Sequence, residues 1–204
     1  MAFTFFFRDQ TVLDLIATHV VPTLSGYSRI RIWDGGCAMG PEPYSLAITI
    51  AEKMGHFAFR NVHIDATDID EQGDFEKIIE NGVYPIDQLE RITPEIFGKY
   101  FTPGEGKGEF RVVDSIRQAI HFKRHDLLSL KSIADGYRLI VCKNVLLHFH
   151  PAERVNVIRM FHSALAPGGF FATERTQEMP RELAHLFEKM SEEGQLYRKA
   201  ETLS

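Results

Sequence analysis

The chain has 204 residues, 44% hydrophobic and 25% charged, with 28 acidic against 23 basic side chains and a net charge of −5. That composition excludes a disordered, collagen-like or coiled-coil chain. The acidic balance argues against general nucleic-acid binding, which needs a basic face. No apolar run approaches the ~18 residues of a membrane helix. Residues 1–9 are aromatic but lack the basic leader of a signal peptide. Cys37 and Cys142 sit in apolar surroundings, so reduced, buried thiols in a cytoplasmic protein are expected.

Residues 9–21 carry apolar groups at Val12, Leu15, Ile16 and Val20, a helical spacing that Pro22 should end. Residues 29–33 alternate like a strand and run into Asp34-Gly35-Gly36. A helix should open at Pro41 and close at Gly55. Residues 61–70 read as a second strand ending in acids, followed by a helix over 71–80. A short helix near Pro94 leads to two extended runs around a Gly-rich turn, a β-hairpin over 99–113. Residues 119–128 read as strand then loop, and 137–149 begin with a buried strand. A helix over 151–165, a strand over 170–174, a helix over 180–190 and a strand over 195–199 complete the chain. Strands alternating with helices predict an α/β fold, a doubly wound Rossmann-like sheet. The expected organisation is one domain over 1–204, with an antiparallel β-hairpin subdomain inserted at about 97–125.

The first strand-turn-helix carries the most chemistry. Gly35, Gly36 and Gly40 let a ligand approach the backbone just beyond a strand end. The spacing is not that of the dinucleotide fingerprint, and Glu42 at the helix start would repel phosphate. A carboxylate there suits an ammonium or sulfonium group; otherwise it simply complements the helix dipole. Asp68, at the end of the second strand, can accept bonds from both hydroxyls of a ribose. Asp70 is the better helix cap. Asn144 falls where the third buried strand leaves the sheet, close to the switch-point crevice. His148 is a nearby candidate of the one residue type whose acid–base chemistry is readily tuned for work at neutral pH, although packing against Phe149 is the plainer reading. No cysteine or acid stands at zinc-ligand spacing, so no metal is expected. Arg8, after three aromatics, either lies in solvent beside a hydrophobic staple or folds over the site to orient an anionic substrate.

These features together resemble the chemoreceptor glutamate methyltransferases, the CheR-type enzymes that use S-adenosylmethionine. The resemblance runs from Thr4 to about Lys199. It is carried by T-x-F-F-R at 4–8, G-C-x-x-G-x-E-P-Y-S at 36–45, A-T-D-I-D at 66–70 and G-V-Y at 82–84. F-x-x-x-D-L-L at 122–128, N-V-L-L-x-F at 144–149 and L-A-P-G-G at 165–169 complete it. It implies a methyltransferase that esterifies glutamate side chains on an acidic helical segment of a chemoreceptor or other signalling protein, with S-adenosylhomocysteine as product. It implies that Gly35, Gly36 and Glu42 hold the methionine end of the cofactor, that Asp68 binds the ribose, and that Asp126 and Leu127 flank the adenine. Thr4, Arg8 and Asn144 would border methyl transfer, with His148 as a further catalytic candidate. The hairpin would correspond to the β-subdomain that helps dock receptors. Three residues precede Thr4, so the family's N-terminal helical domain is not expected in this chain. Lys143 and His148 replace the family's usual Arg and Tyr, and Ala38-Met39 its Ser-Thr. A methyltransferase for another acceptor, and a non-catalytic S-adenosylmethionine-binding signalling module, are the alternatives.

Overall fold

The computed structural model describes residues 4–201. The N-terminal helical run does not stop at Pro22. Helix α1 (Gln10–Leu15) widens into a π-helical turn over Ile16–Val20, then tightens into a 3-10 turn over Val21–Leu24. Pro22 lies in the first turn of that last segment, where a missing N–H leaves no bond unmade. Strand β1 (Ile30–Gly35) continues through Asp34, two residues beyond the alternating run. Its alternation sends Ile30 and Ile32 to one core and Trp33 to the other. Helix α2 (Pro41–Met54) opens and closes as its Pro41 and Gly55 predict. Helix α3 (His56–Phe59) leads into strand β2 (Val62–Asp68). The Asp70 side chain accepts from the backbone N–H groups of Gly73, Asp74 and Phe75, anchoring the entry to α4 (Phe75–Asn81).

The inserted element is larger than a hairpin and starts earlier. Strand β3 (Val83–Pro85) precedes helix α5 (Pro94–Tyr100), strand β4 (Phe101–Pro103) and strand β5 (Glu109–Val112). Together they form an antiparallel sheet in the order β3-β5-β4. Three residues ending in Pro85 are too short for periodicity to reveal, and only pairing with β5 makes them a strand. The insertion also ends sooner than residue 125. After α6 (Asp114–Arg117), strand β6 (Ile120–Arg124) pairs with β2 and belongs to the main sheet.

The main sheet is completed by β7 (Tyr137–Val141), helix α7 (Pro151–Ala164), β8 (Leu165–Thr173), β9 (Phe187–Lys189) and β10 (Gln195–Lys199). Its order is β6-β2-β1-β7-β8-β10-β9, parallel through β8, with β10 inserted antiparallel between β8 and β9. The helix expected over 180–190 is a 3-10 segment, Arg181–Leu186, followed by β9. Pairing with β10 overrides a helical composition there.

One buried carboxylate ties four strands together. Asp65 on β2 accepts from Tyr137 on β7 at 2.8 Å, Arg31 on β1 at 3.1 Å and Lys123 on β6 at 3.0 Å. Burial pushes its pKa up, but the Tyr137 hydroxyl and Lys123 outweigh burial and hold it below the usual carboxylate range.

Candidate cofactor site

The strand order reverses between β1 and β7, so the crevice beyond their C-terminal ends is where a doubly wound sheet accepts ligands. The loops after β1, β2 and β7 meet there. Gly36 and Cys37 donate their backbone N–H groups to Thr67 O at 2.7 and 3.0 Å, and Ala38 N–H donates to Asp68 Oδ2 at 3.0 Å. Gly36 (φ +94°) and Gly40 (φ +107°) take conformations that side chains rarely adopt. A Cβ on Gly36 would run into Val145, and one on Gly40 would meet the Tyr84 hydroxyl. That hydroxyl, from β3, donates to Met39 O at 2.9 Å. The small sheet therefore buttresses the turn from below.

The N-terminal segment closes the other side. Phe6 is buried edge-on against Tyr84 and Phe101, so it anchors the segment and does not line the crevice. Phe7 N–H donates to Ser45 Oγ at 2.7 Å. This delivers Arg8 and Asp9 to the end of β7. Lys143, buried, donates to Arg8 O at 3.1 Å and lies 3.5 Å from Glu42 and 3.9 Å from Asp9. Asn144 Nδ2 donates to Asp9 Oδ2 at 3.1 Å, and its backbone N–H to Glu174 Oε2 at 2.9 Å. Phe7, Asp9, Ala38 and Asn144 all have φ between +48° and +60°. Such left-handed side-chain-bearing residues gather where surrounding structure over-determines them, often at functional sites.

Beneath the turn lie buried carboxylate oxygens without donors. Asp34 is fully buried, and both its carboxylate oxygens, Glu42 Oε1 and Glu174 Oε1 have no hydrogen-bond partner among the described residues. Burial first, then the charge of Glu42, pushes Asp34 far above the usual carboxylate range. Burial also raises Glu42, with Lys143 pulling it back. A ligand bearing a positive charge and N–H donors supplies what these oxygens lack. The residues present therefore fit the methionine end of S-adenosylmethionine, which carries an ammonium and a sulfonium.

Asp68 is half-buried at the end of β2, its second oxygen accepting from Asp70 N–H at 3.3 Å. Asp126 is exposed and accepts from Leu128 N–H at 2.8 Å, while Leu127 is buried against Gly35. Arg8 and Thr4 are half-buried, with the Arg8 guanidinium 5.8 Å from the Phe5 ring centre. His148 departs from expectation. It ends a 3-10 turn, Leu146–His148, and is exposed, so packing does not hold it. Asp34, Asp9, Lys143 and Glu174 were not sequence candidates for this site. An acid at the end of a strand with inward-facing neighbours was the one local signal, and it pointed only to Asp34.

Cys37 and Cys142 are free and buried. Burial raises both thiols well above their usual value, and nearby acids add to it: Asp34 first for Cys37, Glu42 first for Cys142. Both are expected to react with a disulfide reagent at pH 8 only after denaturant is added. Rapid titration of either thiol in the native protein would contradict this burial.

The family profile described as CheR methyltransferase, SAM binding domain, matches residues 2–195. The chain belongs to that family. Chemotaxis protein methyltransferase 2 of Pseudomonas aeruginosa is 34% identical over 171 residues, 82% of this chain and 60% of that protein. Chemotaxis protein methyltransferase 1 of the same organism is 30% identical over 188 residues, 87% and 67% of the two chains. The chemotaxis protein methyltransferase of Listeria innocua is 34% identical over 167 residues, 80% and 60%. This CheR-family chain thus spans 60–67% of the length of these relatives. A solved magnesium protoporphyrin IX methyltransferase from Synechocystis PCC 6803 with bound SAH has a TM-score of 0.44 at 18% identity, over 83% of this chain and 57% of that one. No helix among the described residues is long and apolar enough to cross a membrane.

Proposed function

We propose that the chain is a cytoplasmic S-adenosylmethionine-dependent methyltransferase that esterifies glutamate side chains on an acidic helical segment of a chemoreceptor or other signalling protein. The observation that carries this reading is the group of buried carboxylate oxygens without a donor, both of Asp34 and Oε1 of Glu42, under the Gly36 turn at the switch point. Family membership and the names of the relatives support it.

S-adenosylmethionine would supply a methyl group activated on a positively charged sulfur. Glu42 and Asp34 would face the cationic end, Asp68 the ribose, and Leu127 with Asp126 the adenine. Asn144, fixed by Asp9 and Glu174, would border the reacting centre. A glutamate acceptor has a reference pKa of about 4.3 and is already ionised at neutral pH, so no general base is required. The chain's task is then to align the acceptor carboxylate and exclude water. Arg8 suits the first job, because a guanidinium can hold a carboxylate through two parallel bonds. His148 is not needed for proton removal. The three-stranded sheet, adjoining the turn through Tyr84, would help to dock the receptor.

Arg8→Ala is expected to lower turnover on an acidic receptor fragment by roughly 10²-fold, the scale of a misplaced substrate. Its melting temperature should barely move, because Lys143 is held by the Arg8 carbonyl, which the mutation keeps. Normal turnover with a large loss of stability would contradict the orienting role. The function itself is tested by transfer of labelled methyl groups to such fragments. Label that mild alkali releases as methanol supports carboxylate esters. Stable label would mean another acceptor, and no label would leave only a binding module.

A further inference from the structure

The two acids beneath the turn come from different elements, Asp34 from the end of β1 and Glu42 from the first turn of α2. As two carboxylates neither could donate to the other, and three of their four oxygens are buried without a partner. The fourth, Glu42 Oε2, faces the Lys143 ammonium at 3.5 Å. Asp68 at the end of β2, Asp9 from the N-terminal segment, the Cys37 thiol in the turn and the Cys142 thiol after β7 are other ionisable groups facing the pair. One buried cation thus stands among several acids, and Asp9 also leans on it at 3.9 Å. An added proton relieves that imbalance: Asp34 as the acid donates to Glu42, and Glu42 stays ionised between Asp34 and Lys143.

We propose that Asp34 and Glu42 form a single proton-sharing diacid, and that this proton is exchanged for the positive charge of the cofactor's methionine end. The inference rests on the cofactor reading above. On binding, the Asp34 O–H bond breaks, the proton passes to solvent buffer, and both carboxylates face the incoming cation. The N–H donors of the ligand then satisfy oxygens that have no partner without it. Burial first and then the Glu42 charge push Asp34 well above the usual carboxylate range, which favours its protonated form in the free protein.

The experiment is calorimetric titration of the full chain with S-adenosylmethionine at pH 6.5, where the ligand's own amine is already protonated. It is repeated in buffers of different ionisation enthalpy. Release of about one proton per bound ligand is expected, with affinity rising by up to about tenfold per pH unit between pH 5.5 and 7.5. In Asp34→Asn, which keeps a donor toward Glu42, the release should vanish. Binding without proton release, or unchanged release in Asp34→Asn, overturns the diacid while leaving the cofactor reading intact. Absence of any binding overturns both. A ligand-free arm tests the shared proton alone. A raised acid contributes stability that is full below its unfolded value and is lost progressively as pH rises from there to its folded pKa. Asp34→Asn should therefore gain in melting temperature on the wild type between pH 5.5 and 7.5. Parallel melting profiles would overturn the shared proton.

Discussion

Lys143→Met is expected to destabilise the protein by about 3–5 kcal/mol, the usual effect of removing one partner from a buried ion pair. For a chain of this size that is roughly 6–20 °C in melting temperature. Methionine keeps the length and apolar stem but leaves Glu42 and Asp9 without their cation, and leaves the Arg8 carbonyl without its donor. The loss should depend on pH. Without the ammonium, which now pulls Glu42 down, burial raises that carboxyl further. A raised carboxyl contributes stability at low pH that disappears as pH climbs through its folded value. The deficit should therefore be smaller at pH 5 than at pH 8. Thermal melts at the two pH values check it, and an equal or negligible deficit would mean that Lys143 is not the cation that balances this site.

Gly36→Ala should be the most damaging small substitution in the turn. The residue has φ +94°, and a methyl group would collide with Val145 Cγ2. The backbone conformation alone costs about 1–2 kcal/mol for a residue with a side chain. Overpacking adds about 1–3 kcal/mol. The two parts are separable. In Gly36→Ala/Val145→Ala the γ carbons are gone and the remaining Cβ contact is 3.3 Å, tight but tolerable. The double variant should recover the packing part and retain the backbone part, a non-additive pair in urea denaturation. Simple additivity would show that Val145 does not cover the turn.

The residues that were legible in the sequence belong to local patterns. Pro41 and Gly55 bound α2 by their own backbone restrictions, and the acid-ended strand placed Asp68 and Asp70. The glycines and Glu42 marked the turn because their requirements are local as well. What escaped was set by distant partners. Lys143 and Asn144 meet the N-terminal segment 135 positions away, so neither burial nor charge pairing could be read near them. Asp34 looked like the start of a turn until the sheet buried it. Strand β3 exists only through β5, and the end of the 180–190 region, Phe187–Lys189, became strand because β10 offers an edge. Phe6 illustrates the same limit: nothing near it in the chain marks Tyr84 and Phe101 as the rings it plugs into to hold the segment in place.

The central claim is that the loops after β1 and β2 hold S-adenosylmethionine. Asp68 is the side chain that joins them, through Ala38 N–H on one oxygen and Asp70 N–H on the other. Calorimetric titration of wild type and Asp68→Ala with S-adenosylmethionine tests this most directly, with circular dichroism to confirm that the variant is folded. The wild type should bind one equivalent, and the variant should lose about 1–3 kcal/mol of binding free energy, the scale for stranding buried polar partners. Failure of the wild type to bind, or equal affinity in a folded Asp68→Ala, would contradict the account.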